Sequence, residues 1–78
     1  MMLRNMSTKR ELNRLRVLRA ERRMTQLTLA RKSRINVTRV SFIENGLVDP
    51  APKERDRLAR ALKADVIEVF PSQEAVAS

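Results

Sequence analysis

Apolar residues recur along the middle of this chain at three- and four-residue spacing with charged residues between them, the pattern of short amphipathic helices rather than strands. Leu12, Leu15 and Leu18 form the first series, and Thr8-x-x-Glu11 ahead of it has the spacing of a capping box. A helix is therefore predicted from near Lys9 to about Arg22. Thr25 and Asn36, two residue types that cap helix N-termini, stand at the start of two further series. One predicts a helix from Gln26 to Ser33 with Leu29 and Ala30 inward; the other runs from Val37 to Asn45 with Val40 and Ile43 inward, closed by Gly46. Ile35 lies in the short turn between them. After a loop from Leu47 to Pro52, Leu58, Ala59 and Leu62 mark a fourth helix. Asp65 is placed to cap a short fifth, Val66 to Phe70, which Pro71 ends. Residues 1–7 read as a loose basic arm and residues 71–78 as a small polar tail, leaving one domain over 8–70.

The helix from Val37 to Asn45 has two unlike sides. At about 100° per residue, Val40, Ile43, Glu44 and Val37 share the inward half, while Asn45, Thr38 and Phe42 lie opposite and Ser41 and Arg39 flank them. Phe42 is the unusual member: an aromatic side chain pointing away from the core touches thymine methyls of a bound duplex, rests at the core edge, or is covered by another protein. Two short helices joined by a tight turn, the second with a polar outer face, form the usual device for placing a helix in the DNA major groove.

Charge supports that direction. The net charge is +8. Up to Asn45 the chain carries twelve Lys/Arg against three Asp/Glu, and from Gly46 onward five against six, so the whole positive excess accompanies the two-helix unit. Phosphate neutralisation favours that arrangement through counterion release, although arginine-rich helices also serve as plain solvated surfaces. No histidine, no cysteine and a single glycine remove imidazole and thiol chemistry, the common zinc sites and a glycine-rich phosphate loop. No enzyme activity, metal, cofactor or small-molecule ligand is expected. MMLRNMSTKR lacks the apolar stretch of a signal peptide and no run reaches membrane-spanning length, so a soluble cytoplasmic chain without membrane attachment is expected.

From about Asn13 to Phe70 the chain resembles the Cro/repressor-type (XRE-like) helix-turn-helix family. The resemblance rests on NRLRVLRAERRMTQ, TQLTLARKSRINVTRVSFIENG, Pro50 and LARALKADVIEVFP in that order. It implies an all-α, compact five-helix bundle of the lambda-repressor-like DNA-binding type, with the helix-turn-helix at helices two and three. It also implies a transcriptional regulator, most simply a repressor, that binds double-stranded DNA as a homodimer on an inverted repeat. Val37 matches a family position that often contacts bases, and Thr38, Ser41 and Phe42 complete the expected base-reading set. Thr25 and Asn36 at helix N-termini, Gln26, Arg39 and Asn45 are the expected phosphate contacts. Arg19 and Glu44 match a partly buried ion pair of the family, and Val66 with Ile67 are the dimer candidates.

The departures from the family pattern are local. Arg34 stands where the tight turn usually holds glycine, Ser33 where an apolar residue is common, and Arg55 where leucine is usual. Asp49 adds a negative charge to a loop that some relatives press against phosphate. A restriction-modification controller is similar in size and also begins its motif with MTQ, and an antitoxin of the same fold is a further possibility. An adaptor that binds protein through the Phe42 face is the alternative of a different class.

Overall fold

The computed structural model describes residues 13–71. The basic arm, Leu12, the Thr8–Glu11 capping box and the tail after Pro71 lie outside them. Five helices follow one another: α1 Leu15–Glu21, α2 Gln26–Ser33, α3 Val37–Glu44, α4 Pro52–Ala61 and α5 Val66–Val69. No strand occurs among the described residues.

The first helix corrects the sequence expectation. The turns that carry Leu15 and Leu18 begin at Leu15 and are not continuous with a helix from Lys9. Asn13 explains the start at Leu15. Its Oδ1 accepts from the Leu15 N–H at 3.2 Å, and its Nδ2 donates to the Ile43 carbonyl at 2.9 Å. The Arg14 N–H donates to the Val69 carbonyl at 2.8 Å, so the backbone here is tied to α5 rather than to a preceding turn. At the other ends Asn45 and Phe70 cap α3 and α5 instead of extending them.

Caps account for the remaining starts. The Thr25 hydroxyl accepts from the Thr28 N–H at 3.0 Å and Asn36 Oδ1 from the Thr38 N–H at 2.7 Å, each satisfying an orphan donor of its helix. Helix α4 has Pro52 at its first position, where no N–H is needed, and Glu54 reaches back to the Ala51 N–H at 2.8 Å. In α5 Asp65 stands at the N-cap as expected, and Glu68 reaches back to accept from the Asp65 N–H at 2.9 Å.

The helix ends share one device. Arg23, Arg34, Gly46 and Lys63 have φ of 55°, 63°, 74° and 55°, in the left-handed region. The residue after each donates its N–H to a carbonyl five positions back: Met24 to Arg19, Ile35 to Ala30, Leu47 to Phe42 and Ala64 to Ala59. Only Gly46 adopts this conformation without a Cβ clash; the other three carry a cost of about 1–2 kcal/mol each.

The core is aliphatic apart from Phe70. Leu15, Leu18, Leu29, Ala30, Ile35, Val40, Ile43, Leu58, Ala59, Leu62, Val69 and Phe70 are buried together, so every helix contributes to one cluster. Arg55 is only partly exposed, and its guanidinium donates to the Pro50 carbonyl at 3.3 Å, so an arginine at this core margin finds a backbone partner.

Candidate nucleic-acid interface

One carboxylate organises the unit formed by α2 and α3. Glu44, at the end of α3, has a fully buried side chain. Arg19 of α1 donates to it through Nε and, at 3.2 Å, through a terminal nitrogen, a forked arrangement that matches both carboxylate oxygens. Gln26 at the first turn of α2 donates its amide to Glu44 at 2.9 Å. Arg16, largely exposed, adds its charge at 3.9 Å. Arg19 also donates to the Met24 carbonyl at 2.8 Å, in the connection between α1 and α2. The cluster therefore fixes the start of α2 against the end of α3.

The other end of the unit is set by the turn. Arg34 is left-handed, Ile35 is buried, and Asn36 caps α3. Buried Ser33 returns its hydroxyl to the Ala30 carbonyl at 3.3 Å, which is how a polar residue fits an apolar position. Two helices of eight residues are thus locked at both ends, with α3 presenting an outer face.

The sequence of this assembly carries its own likeness: residues 13–69 match a family model described as a helix-turn-helix domain. The chain belongs to the helix-turn-helix family. Neither a curated protein nor a solved structure matches it. The match spans all five described helices and supports DNA binding as the role of the fold.

On the helix-turn-helix unit, Val37 and Phe42 are 36% and 43% exposed, Thr38 is exposed, and Ser41 is half-buried beside them. Thr38, Ser41 and Phe42 share the outer side of α3 with Asn45, and Val37, expected on the inward half, is exposed because it stands at the first position of the helix. Thr25 is exposed at the start of α2, and Gln26 is half-buried there. Their side chains are already engaged: the Thr25 hydroxyl holds the Thr28 N–H and lies 3.0 Å from the Thr28 hydroxyl, and Gln26 is held by Glu44. Asn45 donates to the Ser41 carbonyl at 2.8 Å and accepts from Arg16 at 3.1 Å.

Arg39, expected at phosphate, is paired with Glu54 of α4 while its side chain stays 41% exposed. Its Nε and a terminal nitrogen both donate to that carboxylate, the latter at 2.9 Å. Arg39 hydrogen-bonding holds the Glu54 carboxyl below its usual range, and Glu54 in turn raises the Arg39 guanidinium. Glu54 thus bonds both Ala51 and Arg39, tying the start of α4 to α3.

Three more side chains have roles that spacing alone does not reveal. Arg22, which reads as a solvated or DNA-facing cation, donates to the Leu62 carbonyl at the end of α4. Asn13 and Arg16 bridge α1 to the end of α3. Their only sequence signal is residue type, a polar group able to bond backbone or carboxylate. Lys32, Arg34, Arg57 and Arg60 line a groove between the end of α2 and α4, and none has a carboxylate within 4 Å among the described residues. Of the proposed dimer residues, Val66 packs partly against the core whereas Ile67 is 56% exposed.

Proposed function

We propose that the protein is a sequence-specific transcriptional regulator that inserts α3 into the major groove of duplex DNA and represses by occupying a promoter. The observation that carries this reading is the outer face of α3, left solvent-facing while Glu44 locks its end to the start of α2. Val37, Thr38, Ser41 and Phe42 meet base edges. The start of α2, with Thr25 and Gln26, lies against phosphate, where helix N-termini favour anions. Gln26 retains a second amide hydrogen for that contact while the first holds Glu44. Asn36 and Asn45 flank the groove at the two ends of α3. The excess positive charge of the first half of the chain supplies the sequence-independent attraction.

One recognition helix reads few base pairs, so specificity comes from a homodimer on an inverted repeat. Exposed Ile67, with Val66 beside it, supplies an apolar contact for the twofold partner. A binding-site selection from a random duplex library at moderate salt tests the whole reading. The expected product is an inverted repeat with half-site centres about one helical turn, ~34 Å, apart. Binding that enriches no motif and disappears as salt rises refutes sequence-specific regulation and leaves only charge attraction.

A further inference from the structure

The polar side chains best suited to reading bases are already occupied within the fold. Guanine is read in the major groove by a forked cation, and adenine by an amide that offers a donor and an acceptor together. The only arginine on α3, Arg39, is held by Glu54 through two hydrogen bonds. Asn45 uses both ends of its amide, one on Ser41 and one on Arg16. Asn36 turns its oxygen onto the Thr38 N–H, which holds the amide in place as the cap at the start of α3. What α3 presents freely is the hydroxyls of Thr38 and Ser41 and an apolar surface made by Val37, the Thr38 methyl and Phe42.

From this inventory we propose that α3 selects thymine, by packing Val37, Thr38 and Phe42 against 5-methyl groups in each half-site; the inference rests on the DNA-binding reading above. Among the edges of unmodified base pairs in the major groove, the thymine methyl is the one apolar group. Phe42 lies one turn after Thr38, about 6 Å along the helix axis. Base pairs are spaced about 3.4 Å apart along the duplex, so the two apolar contacts fall within one or two base steps of each other. The half-site therefore contains two thymines at that separation, on either strand. The Thr38 and Ser41 hydroxyls bond neighbouring acceptors and fix register without distinguishing bases strongly.

The test replaces each thymine of the selected duplex by uracil, one at a time, which deletes the methyl and keeps the pairing. Affinity is expected to fall about fourfold at each contacted thymine, the equivalent of one buried methyl, and to stay unchanged elsewhere. Phe42→Ala, with folding checked by circular dichroism, should erase the uracil penalty at one position and leave the other. Sequence-specific binding that is indifferent to uracil throughout overturns the thymine assignment while leaving DNA binding intact. A selection that enriches no duplex overturns the DNA reading itself, and this inference with it. The wild-type uracil scan decides the matter even if the Phe42 variant is poorly folded.

Discussion

Removing Arg19 should be strongly destabilising, because it strands a buried charge. The Glu44 side chain is fully buried and that of Arg19 is 16% exposed, so neither is screened as a surface pair would be. In Arg19→Ala the carboxylate keeps only the Gln26 amide at 2.9 Å and the distant, largely exposed Arg16. Breaking one side of a buried pair costs about 3–5 kcal/mol. Loss of the bond to the Met24 carbonyl adds about 0.5–1.5 kcal/mol. Small domains are stable by only about 5–15 kcal/mol, so the variant should lose a large share of its stability. A urea titration followed by far-UV circular dichroism measures it.

Two further variants separate the stranded charge from lost packing. Arg19→Lys keeps a cation but loses the fork that spans both Glu44 oxygens, so it should fall between wild type and Arg19→Ala. The double variant Arg19→Met with Glu44→Leu removes both charges and leaves nothing to strand. It should recover to within about 1–2 kcal/mol of wild type. An Arg19→Ala loss below about 1 kcal/mol, or a double variant as unstable as the two single variants combined, refutes the account.

Arg34→Gly should stabilise the domain by about 0.5–1 kcal/mol, the relief of left-handed strain less the added freedom of the unfolded chain, seen as a higher urea midpoint; an unchanged or lower midpoint contradicts the strain at this turn. Glu54, held low by Arg39, contributes stability that is present above the unfolded carboxylate value of about 4.3 and is lost as pH falls through its lower folded value. Glu54→Gln should therefore flatten the acid limb of the stability–pH curve. By releasing Arg39, the same variant should also steepen the salt dependence of DNA binding by about one phosphate, read from affinity against salt concentration. If the proposed homodimer forms through α5, Ile67→Glu should convert it to a folded monomer in sedimentation experiments, because this side chain is exposed within one protomer; an unaltered mass places the interface elsewhere.

The features legible in the sequence are those governed by near neighbours. Helices α2 and α3 start where Thr25 and Asn36 cap them, and the apolar series at Leu29, Val40 and Ile43 is the buried one, because capping and periodicity act within one or two turns. Asn13 shows the limit: helical spacing runs through it, yet it is bonded to Ile43, thirty residues away, and α1 starts only at Leu15. Long side chains are harder still. Arg39 and Arg22 each reach far enough to meet phosphate, water, a carboxylate or a carbonyl. Their partners, Glu54 and the Leu62 carbonyl, come within reach only once α4 has docked. That distinction bears directly on specificity. The outer face of α3 looks like a mixed polar reading surface when every side chain is taken as available. Packing engages Arg39 and Asn45 in bonds that hold the helices together, so under the proposed DNA reading a structural demand bears on which base edges remain readable. Under the proposed DNA reading, substitution at Arg16, which lies outside α3, should therefore shift base preference in a repeated binding-site selection by freeing the Asn45 oxygen.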